Sequence, residues 1–240
     1  MRRSVAAPSN VARALQRVLD IEILPPSETI RPPGPAALLN PRRLELVLTA
    51  AVYPGLHLRS AARLLSSSLD AVRHHAKRLE ADGLLRLRRI GRRTVLLVPG
   101  QFPRTAEPLL AAWADPKGRQ VLEALRSPRP VGRTELLATL GTPSGSLDRT
   151  IRRLEQAGAI RIVRGPKGLR VAPSSAWKRL ERSARDRSAA RLRRFTVLLE
   201  RQGLRPNVEA TDGDRARLNV DGPRGRLRFS LPLNPLASPR

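Results

Sequence analysis

Ser68-Leu-Asp-Ala-Val-Arg-His-His-Ala-Lys-Arg-Leu-Glu-Ala-Asp82, then Gly83 and Leu84-Leu-Arg-Leu-Arg-Arg-Ile-Gly-Arg-Arg-Thr-Val-Leu-Leu-Val98, is the stretch on which the reading of this chain turns. Val72, Ala76 and Leu79 recur at helical spacing, which predicts a helix with one buried face. Ser68, Asp70, Arg73, His74 and Lys77 fall outside that face and form a polar row long enough to reach base edges. Gly83 ends the helix, because a residue without Cβ enters the left-handed C-cap conformation freely. The segment after it predicts a hairpin turning at Gly91-Arg92-Arg93. Its tip and flanks carry Arg86, Arg88, Arg89, Arg92 and Arg93, with no acid among them. Such a hairpin beside a groove-reading helix is suited to phosphate or to a minor groove.

Upstream, Asn40-Pro41 predicts a capped helix start with proline at the first position. Leu44, Val47, Leu48 and Ala51 give the helix its core face, and Pro54-Gly55 breaks it. Leu58 to Leu65 predicts a short second helix and Ser66-Ser67 a turn into the third. Helix, helix–turn–helix, hairpin is the winged-helix order; a small α+β domain with a basic surface is the plainer alternative. Pro54-Gly55-Leu-His-Leu-Arg-Ser-Ala-Ala-Arg-Leu-Leu65 with Val72-Arg-His-His-Ala-Lys-Arg-Leu-Glu-Ala-Asp-Gly-Leu-Leu85 resembles winged helix-turn-helix transcriptional regulators of the MarR/ArsR type, archaeal ones in particular. The resemblance covers roughly residues 40–99 and implies DNA binding through the third helix and the wing. In that family His75 would be a structural histidine, so a packed, hydrogen-bonded role is expected of it.

A 75-residue shift brings the pattern round again. Asn40-Pro41 falls on Asp115-Pro116, Leu65 on Leu140, Arg78-Leu79-Glu80 on Arg153-Leu154-Glu155, Gly83 on Gly158 and Arg89 on Arg164. Caps, core and C-cap glycine recurring together mark an internal repeat. The second copy therefore predicts helices over 116–126, 133–140 and 144–157, with a hairpin around Gly165-Pro-Lys-Gly168. Its outward row is Ser144, Asp148, Arg149 and Arg152, and its hairpin cations are Arg164 and Lys167. Gly145 weakens the start of the second reading helix by about 1 kcal/mol relative to alanine unless it lies in the turn. With fewer wing arginines as well, the second copy ranks below the first as a DNA contact.

Five divisions follow: an arm with a short helix and a proline-rich linker over 1–39, a first winged helix over 40–100, a connector over 101–114, a second winged helix over 115–173, and a long helix with a three-stranded meander over 174–240. The arm should hold a helix over Val11–Asp20 and an extended linker over Leu24–Pro35. Ser174 or Ser175 caps a helix running to Gln202, with Trp177, Leu180, Ala184, Ser188, Leu192, Phe195 and Leu199 on one face. That face either dimerises the protein through 175–202 or packs on the chain's own second unit; the sequence leaves both open. Val208 and Ala210, then Ala216, Leu218 and Val220, then Leu227, Phe229 and Leu231 alternate as three strands with one apolar face. Arg215, Arg217, Arg226 and Arg228 lie on the other face, a solvated surface or a further phosphate contact. The fold class is α+β, mainly helical with small β wings.

Composition sets the partner class. The chain has 46 Lys+Arg against 20 Asp+Glu, a net charge of +26, and four of those bases are lysine. Even discounted for a GC-rich genome, the surplus predicts a polyanion partner, double-stranded DNA first. The absence of cysteine excludes disulfides, thiol catalysis and cysteine-ligated zinc. His57, His74 and His75 are too thinly accompanied by carboxylates for a metal site, and no cofactor is implied. No signal-peptide pattern and no apolar run of membrane length appear, so a cytoplasmic, nucleoid-associated protein is expected. A sequence-specific regulator leads. The alternatives are a non-sequence-specific architectural or RNA-binding protein and a winged-helix interaction module in replication or chromosome segregation. No phosphate loop, nucleophile elbow or carboxylate pair appears, so no enzymatic activity is expected, and no small-molecule effector is identifiable.

Overall fold

The computed structural model describes residues 22–24, 38, 40–127, 129–165, 168–212, 214–222 and 225–237. The expected helix over 11–20, the prolines of the arm after Leu24, and Lys167 lie outside the described residues. Among the described residues are nine α-helices and three small antiparallel sheets, an α+β fold.

The first set of elements runs α1 (Pro41–Val52), β2 (Leu56–His57), α2 (Leu58–Leu64), α3 (Leu69–Ala81), β3 (Arg86–Ile90) and β4 (Arg93–Leu97). Asn40 caps α1, its side chain accepting from the backbone N–H of Arg42 and Arg43, with proline at the position where a missing N–H costs nothing. Leu46 to Val52 are all buried, the pattern of a helix enclosed on every side. Ser68 caps α3 by accepting from Ala71 N at 3.1 Å, and Gly83 at φ 70° turns the chain into the hairpin. The hairpin turn is tighter than expected: Ile90 pairs with Arg93, so Gly91 and Arg92 alone form the tip. The sheet gains a third strand, β2, because Leu56 pairs with Leu96 and His57 with Val95.

After a short 3-10 turn (Arg104–Ala106) and α4 (Glu107–Ala114), the order repeats as α5 (Pro116–Ala124), β5 (Val131–Gly132), α6 (Arg133–Leu140), α7 (Ser144–Gln156), β6 (Ile160–Gly165) and β7 (Gly168–Pro173). Leu69–Ala81 and Ser144–Gln156 stand 75 residues apart at both ends, as do Leu56–His57 and Val131–Gly132. Asp115 caps α5 through Gly118 N at 3.1 Å. Ser66 and Gly141, equivalent positions in the two turns, both adopt positive φ, 48° and 57°. Only the glycine does so without steric cost. The first helix is shorter in this copy, ending at Ala124 instead of 126.

The C-terminal region departs further from expectation. The single helix over 174–202 is two, α8 (Ser175–Asp186) and α9 (Ser188–Glu200), broken at Arg187. The break has an identifiable cause, a side chain entering the helical ladder. The buried Arg191 guanidinium donates to the carbonyl of Ala184, and also to that of Leu233. It stacks over the Phe102 ring at 5.3 Å, and burial lowers its pKa to about 10. The expected three-stranded meander, β8 (Arg205–Asp212), β9 (Arg215–Gly222) and β10 (Gly225–Pro232), is a four-stranded sheet of order β1-β10-β9-β8. The fourth strand is β1 (Glu22–Leu24), whose Ile23 pairs with Leu227, in a stretch expected to border the linker. Nor are Val208 and Ala210 on the apolar face. A register shift falls between them on the edge strand and leaves both exposed.

Two hydrophobic cores result, and β4 separates them. Leu96 and Val98 point into a core built by α1–α3, α9 and the four-stranded sheet, where Phe195 meets Phe229 edge-on at 6.4 Å. Val95 and Leu97 point into a core built by α4–α8, where Trp113 stands 5.6 Å from Trp177. The run Thr94-Val-Leu-Leu-Val98 is continuous in apolar residues because both faces of this strand are covered. The stripe read as one face of a long helix is divided as well: Trp177, Leu180 and Ala184 enter the second core, Phe195 and Leu199 the first.

Candidate nucleic-acid interface

The exposed face of α3 carries Arg73, His74 and Lys77, set by the one-turn spacing of a helix whose opposite face, Val72, Ala76 and Leu79, is fully buried. Arg73 leans on Asp70, Nη1 to Oδ1 2.5 Å. In exposed positions such a pair is worth at most about 1 kcal/mol, so a phosphate or base edge can exchange for it. Ser68 belongs to the helix cap and not to the row. His75 is half-buried with its Nδ1 lacking a hydrogen-bond partner, which corrects the hydrogen-bonded role expected of it. Burial, with Arg43 beside it, lowers its pKa.

The hairpin β3–β4 differs most from its reading as a ring of free arginines. Glu107, only 4% exposed at the start of α4, takes two of them. Arg86 Nη2 lies 2.5 Å from Oε1 and Arg88 Nε 2.9 Å from Oε2. Arg93 is engaged too, with Nη1 at 3.0 Å from His57 Nε2 and 3.7 Å from Asp115. A guanidinium can only donate, so His57 Nε2 accepts. Burial first, then Arg93, holds the His57 pKa below its ordinary value. Arg88 and Arg93, though 58% and 51% exposed, thus have partners inside the chain, because the fold brings acids to them from 19 and 22 residues away. Arg89 and Arg92 remain exposed.

In the second copy Arg133, at the start of α6, grips Asp148 with two parallel bonds of 2.9 Å and also donates to Ser144 Oγ. The first of these lowers the Asp148 pKa below its ordinary value. Ser144 and Asp148 are therefore tied to their own unit. Arg149 donates from Nε to the Gly145 carbonyl at 3.0 Å and stays exposed, as do Arg152 and Arg164. Arg161 and Arg170 on β6 and β7 are exposed cations that the sequence reading passed over.

The two copies touch through charge. Asp115, at the head of the second copy, accepts from Arg153 of its own α7 at 2.5 Å while standing 3.7 Å from Arg93 of the first hairpin. Each copy also packs closely on the connector helix between them. Gly55, at φ 85°, and Gly118 both lie so close to the α4 backbone that a Cβ on either would collide with it. The C-terminal sheet does not extend this surface freely: Arg226 is paired with Asp221 at 2.6 Å and Arg228 with Glu209 at 3.1 Å.

Glu107 was the decisive omission. A lone carboxylate heading Pro-Leu-Leu-Ala-Ala-Trp-Ala had to find cations once its helix was buried, and the nearest supply was the hairpin. A second omission is a cleft of about 990 Å³ between the ends of α1, α5, α8 and β10, where the sequence marks no small-molecule pocket. Among the described residues no helix is long and apolar enough to cross a membrane, and no group of three His, Asp or Glu side chains comes together.

Comparison with protein-family models finds no match, and neither does comparison with curated proteins. Solved structures give distant likenesses. A conserved hypothetical protein from Chlorobium tepidum is 19% identical over 58% of this chain and 96% of its own, with a TM-score of 0.24. A protein from Corynebacterium diphtheriae is 18% identical over 55% of this chain and 26% of its own, TM-score 0.20. Human N-acetylserotonin methyltransferase in complex with SAM is 18% identical over 50% of this chain and 40% of its own, TM-score 0.20. The last corrects the expectation of no enzymatic activity only in that one of these distant likenesses is to an enzyme. Likeness at this level assigns no activity either.

Proposed function

We propose that the chain is a sequence-specific, double-stranded-DNA-binding transcriptional regulator built on two tandem winged helix-turn-helix units, residues 40–100 and 115–173, and working at the nucleoid. The observation that carries the reading is the recurrence, 75 residues apart, of one arrangement: a helix with exposed cations that is followed by a positive-φ glycine, backed by two helices and flanked by a basic hairpin. Each such helix has the dimensions to enter a major groove. Arg73, His74 and Lys77 on α3, and Arg149 and Arg152 on α7, would face base edges. Arg89 and Arg92, with Arg161, Arg164 and Arg170, would hold the phosphates on either side. The resemblance of residues 40–99 to MarR/ArsR-type regulators supports the same reading.

The net charge of +26 also favours a second reading, binding to nucleic acid without regard to sequence. Selection from random duplex DNA separates the two. A regulator enriches a short motif, and Arg73→Ala or Lys77→Ala then relaxes the preference at one position by about 1–3 kcal/mol. Recovery of unselected sequence with undiminished affinity would leave only the second reading.

A further inference from the structure

We propose that the cleft between α1, α5, α8 and the end of β10 binds a small organic oxyanion, a carboxylate or phosphate on a planar or apolar body, with Arg119 as its main contact. The cleft encloses about 990 Å³, at the upper end of the range for small-molecule sites. Its walls come from distant parts of the chain: Tyr53 at the end of α1, Trp113 of α4, Arg119 of α5, Arg126 just after it, Lys178 of α8, and Leu236 beyond β10.

Arg119 is placed as a receptor would place it. Its guanidinium lies 5.2 Å from the Tyr53 ring centre and 5.1 Å from that of Trp113, so two aromatic faces fix its plane. Yet its Nε is buried without a hydrogen-bond partner. A planar guanidinium held in this way pairs best with carboxylate or phosphate oxygens. The surroundings agree. Arg126 is pinned by the Leu236 carbonyl at 2.9 Å, while Lys178 and Arg185 are exposed on α8 at the mouth. Three acids also line the cleft, Glu181 half-buried and Asp212 and Asp214 exposed, against the five cations Arg119, Arg126, Lys178, Arg185 and Arg215. Apolar surface from Val52, Leu125 and Pro173 leaves room for the body of the ligand.

The test uses the full chain, with adenosine monophosphate and citrate as phosphate and carboxylate probes and adenosine as the uncharged control, each at about 1 mM. Readouts are the thermal midpoint and the fluorescence of Trp113 and Trp177, the chain's two tryptophans. At least one anion should raise the midpoint and change the emission, while adenosine does neither; which anion acts assigns phosphate or carboxylate. Arg119→Lys, which keeps the charge but loses Nε, should weaken binding at least about tenfold, and Lys178→Glu severalfold. Arg182→Ala, exposed on α8 but outside the lining, should change nothing, which separates this site from general attraction to a basic surface. If Arg119→Lys fails to fold, Lys178→Glu decides alone. Silence from both anions, equal binding of adenosine, or binding indifferent to the lining variants that fold overturns the proposal.

Discussion

Arg88 of the first hairpin sets its Nε 2.9 Å from Oε2 of Glu107, a carboxylate almost completely enclosed at the head of α4. With Arg86 on the other oxygen, two of the five hairpin arginines form a bracket holding the hairpin to the connector. Glu107→Gln removes the negative charge and leaves two arginines without their counter-ion. Complete loss of a buried pair costs about 3–5 kcal/mol. Here Arg88 is 58% solvent-exposed and Arg86 25%, so water replaces part of the interaction and about 1–3 kcal/mol is expected. Urea denaturation measures the loss; a midpoint unchanged by Glu107→Gln would mean the bracket holds nothing.

The same pairing divides the hairpin arginines into two kinds. Arg92 at the tip is exposed, whereas Arg93 is committed to His57 and Asp115. Arg92→Ala should leave stability alone and lower the log–log salt slope of DNA binding by about one unit. Arg93→Ala should lower the thermal midpoint and alter the slope less. The reverse assignment in salt titrations of the two variants would mean that Arg93 leaves its intramolecular partners when DNA arrives.

Much of this was legible in the chain itself. Asn40-Pro41 and Asp115-Pro116, Gly83 and Gly158, and the bounds of α3 and α7 follow from caps and periodicity, which are local signals. What escaped depends on contacts distant in sequence. Neither the hairpin nor α4 reveals alone that Arg88 and Glu107 will meet. The break at Arg187 contains neither glycine nor proline and exists because Arg191 turns back to Ala184 and across to Leu233. Strand β1 is three residues long and is defined only by its partner β10. Arg119, one arginine among many in the sequence, is singled out only by Tyr53 and Trp113 closing around it.

Two glycines in the second copy should respond oppositely to alanine. Gly145 lies in the first turn of α7 with open space where a Cβ would stand, so Gly145→Ala should stabilise by about 0.5–1 kcal/mol, by propensity and a less flexible unfolded chain. Gly118 is also helical, but its Cβ would strike the Ala112 carbonyl of α4. Gly118→Ala must push α5 from α4 and should destabilise by about 1–3 kcal/mol. Parallel thermal melts check both; equal effects would mean α4 does not seat on α5 as described.

The contact at Gly118, with its counterpart at Gly55, bears on what one molecule recognises. Both glycines let α4 approach closely, and α4 belongs to the same core as Val95 and Leu97 of the first hairpin. Helices α3 and α7 are thus held in one relation and not joined by a loose tether. Their exposed rows differ, Arg73, His74 and Lys77 on one and Arg149 and Arg152 on the other. The apolar stripe that suggested a dimerising helix is spent inside the chain, Trp177 and Leu180 in one core and Phe195 and Leu199 in the other. One chain is therefore expected to cover two adjacent, unlike elements, giving an asymmetric footprint from a protein that is monomeric in solution. A dimer arranged about a two-fold axis would instead protect a palindrome with half-sites one or more helical turns apart, about 34 Å each. Footprinting on the selected sequence, alongside light scattering on the free protein, distinguishes the two. A palindrome bound by a dimer would show that the second copy serves another purpose than reading DNA beside the first.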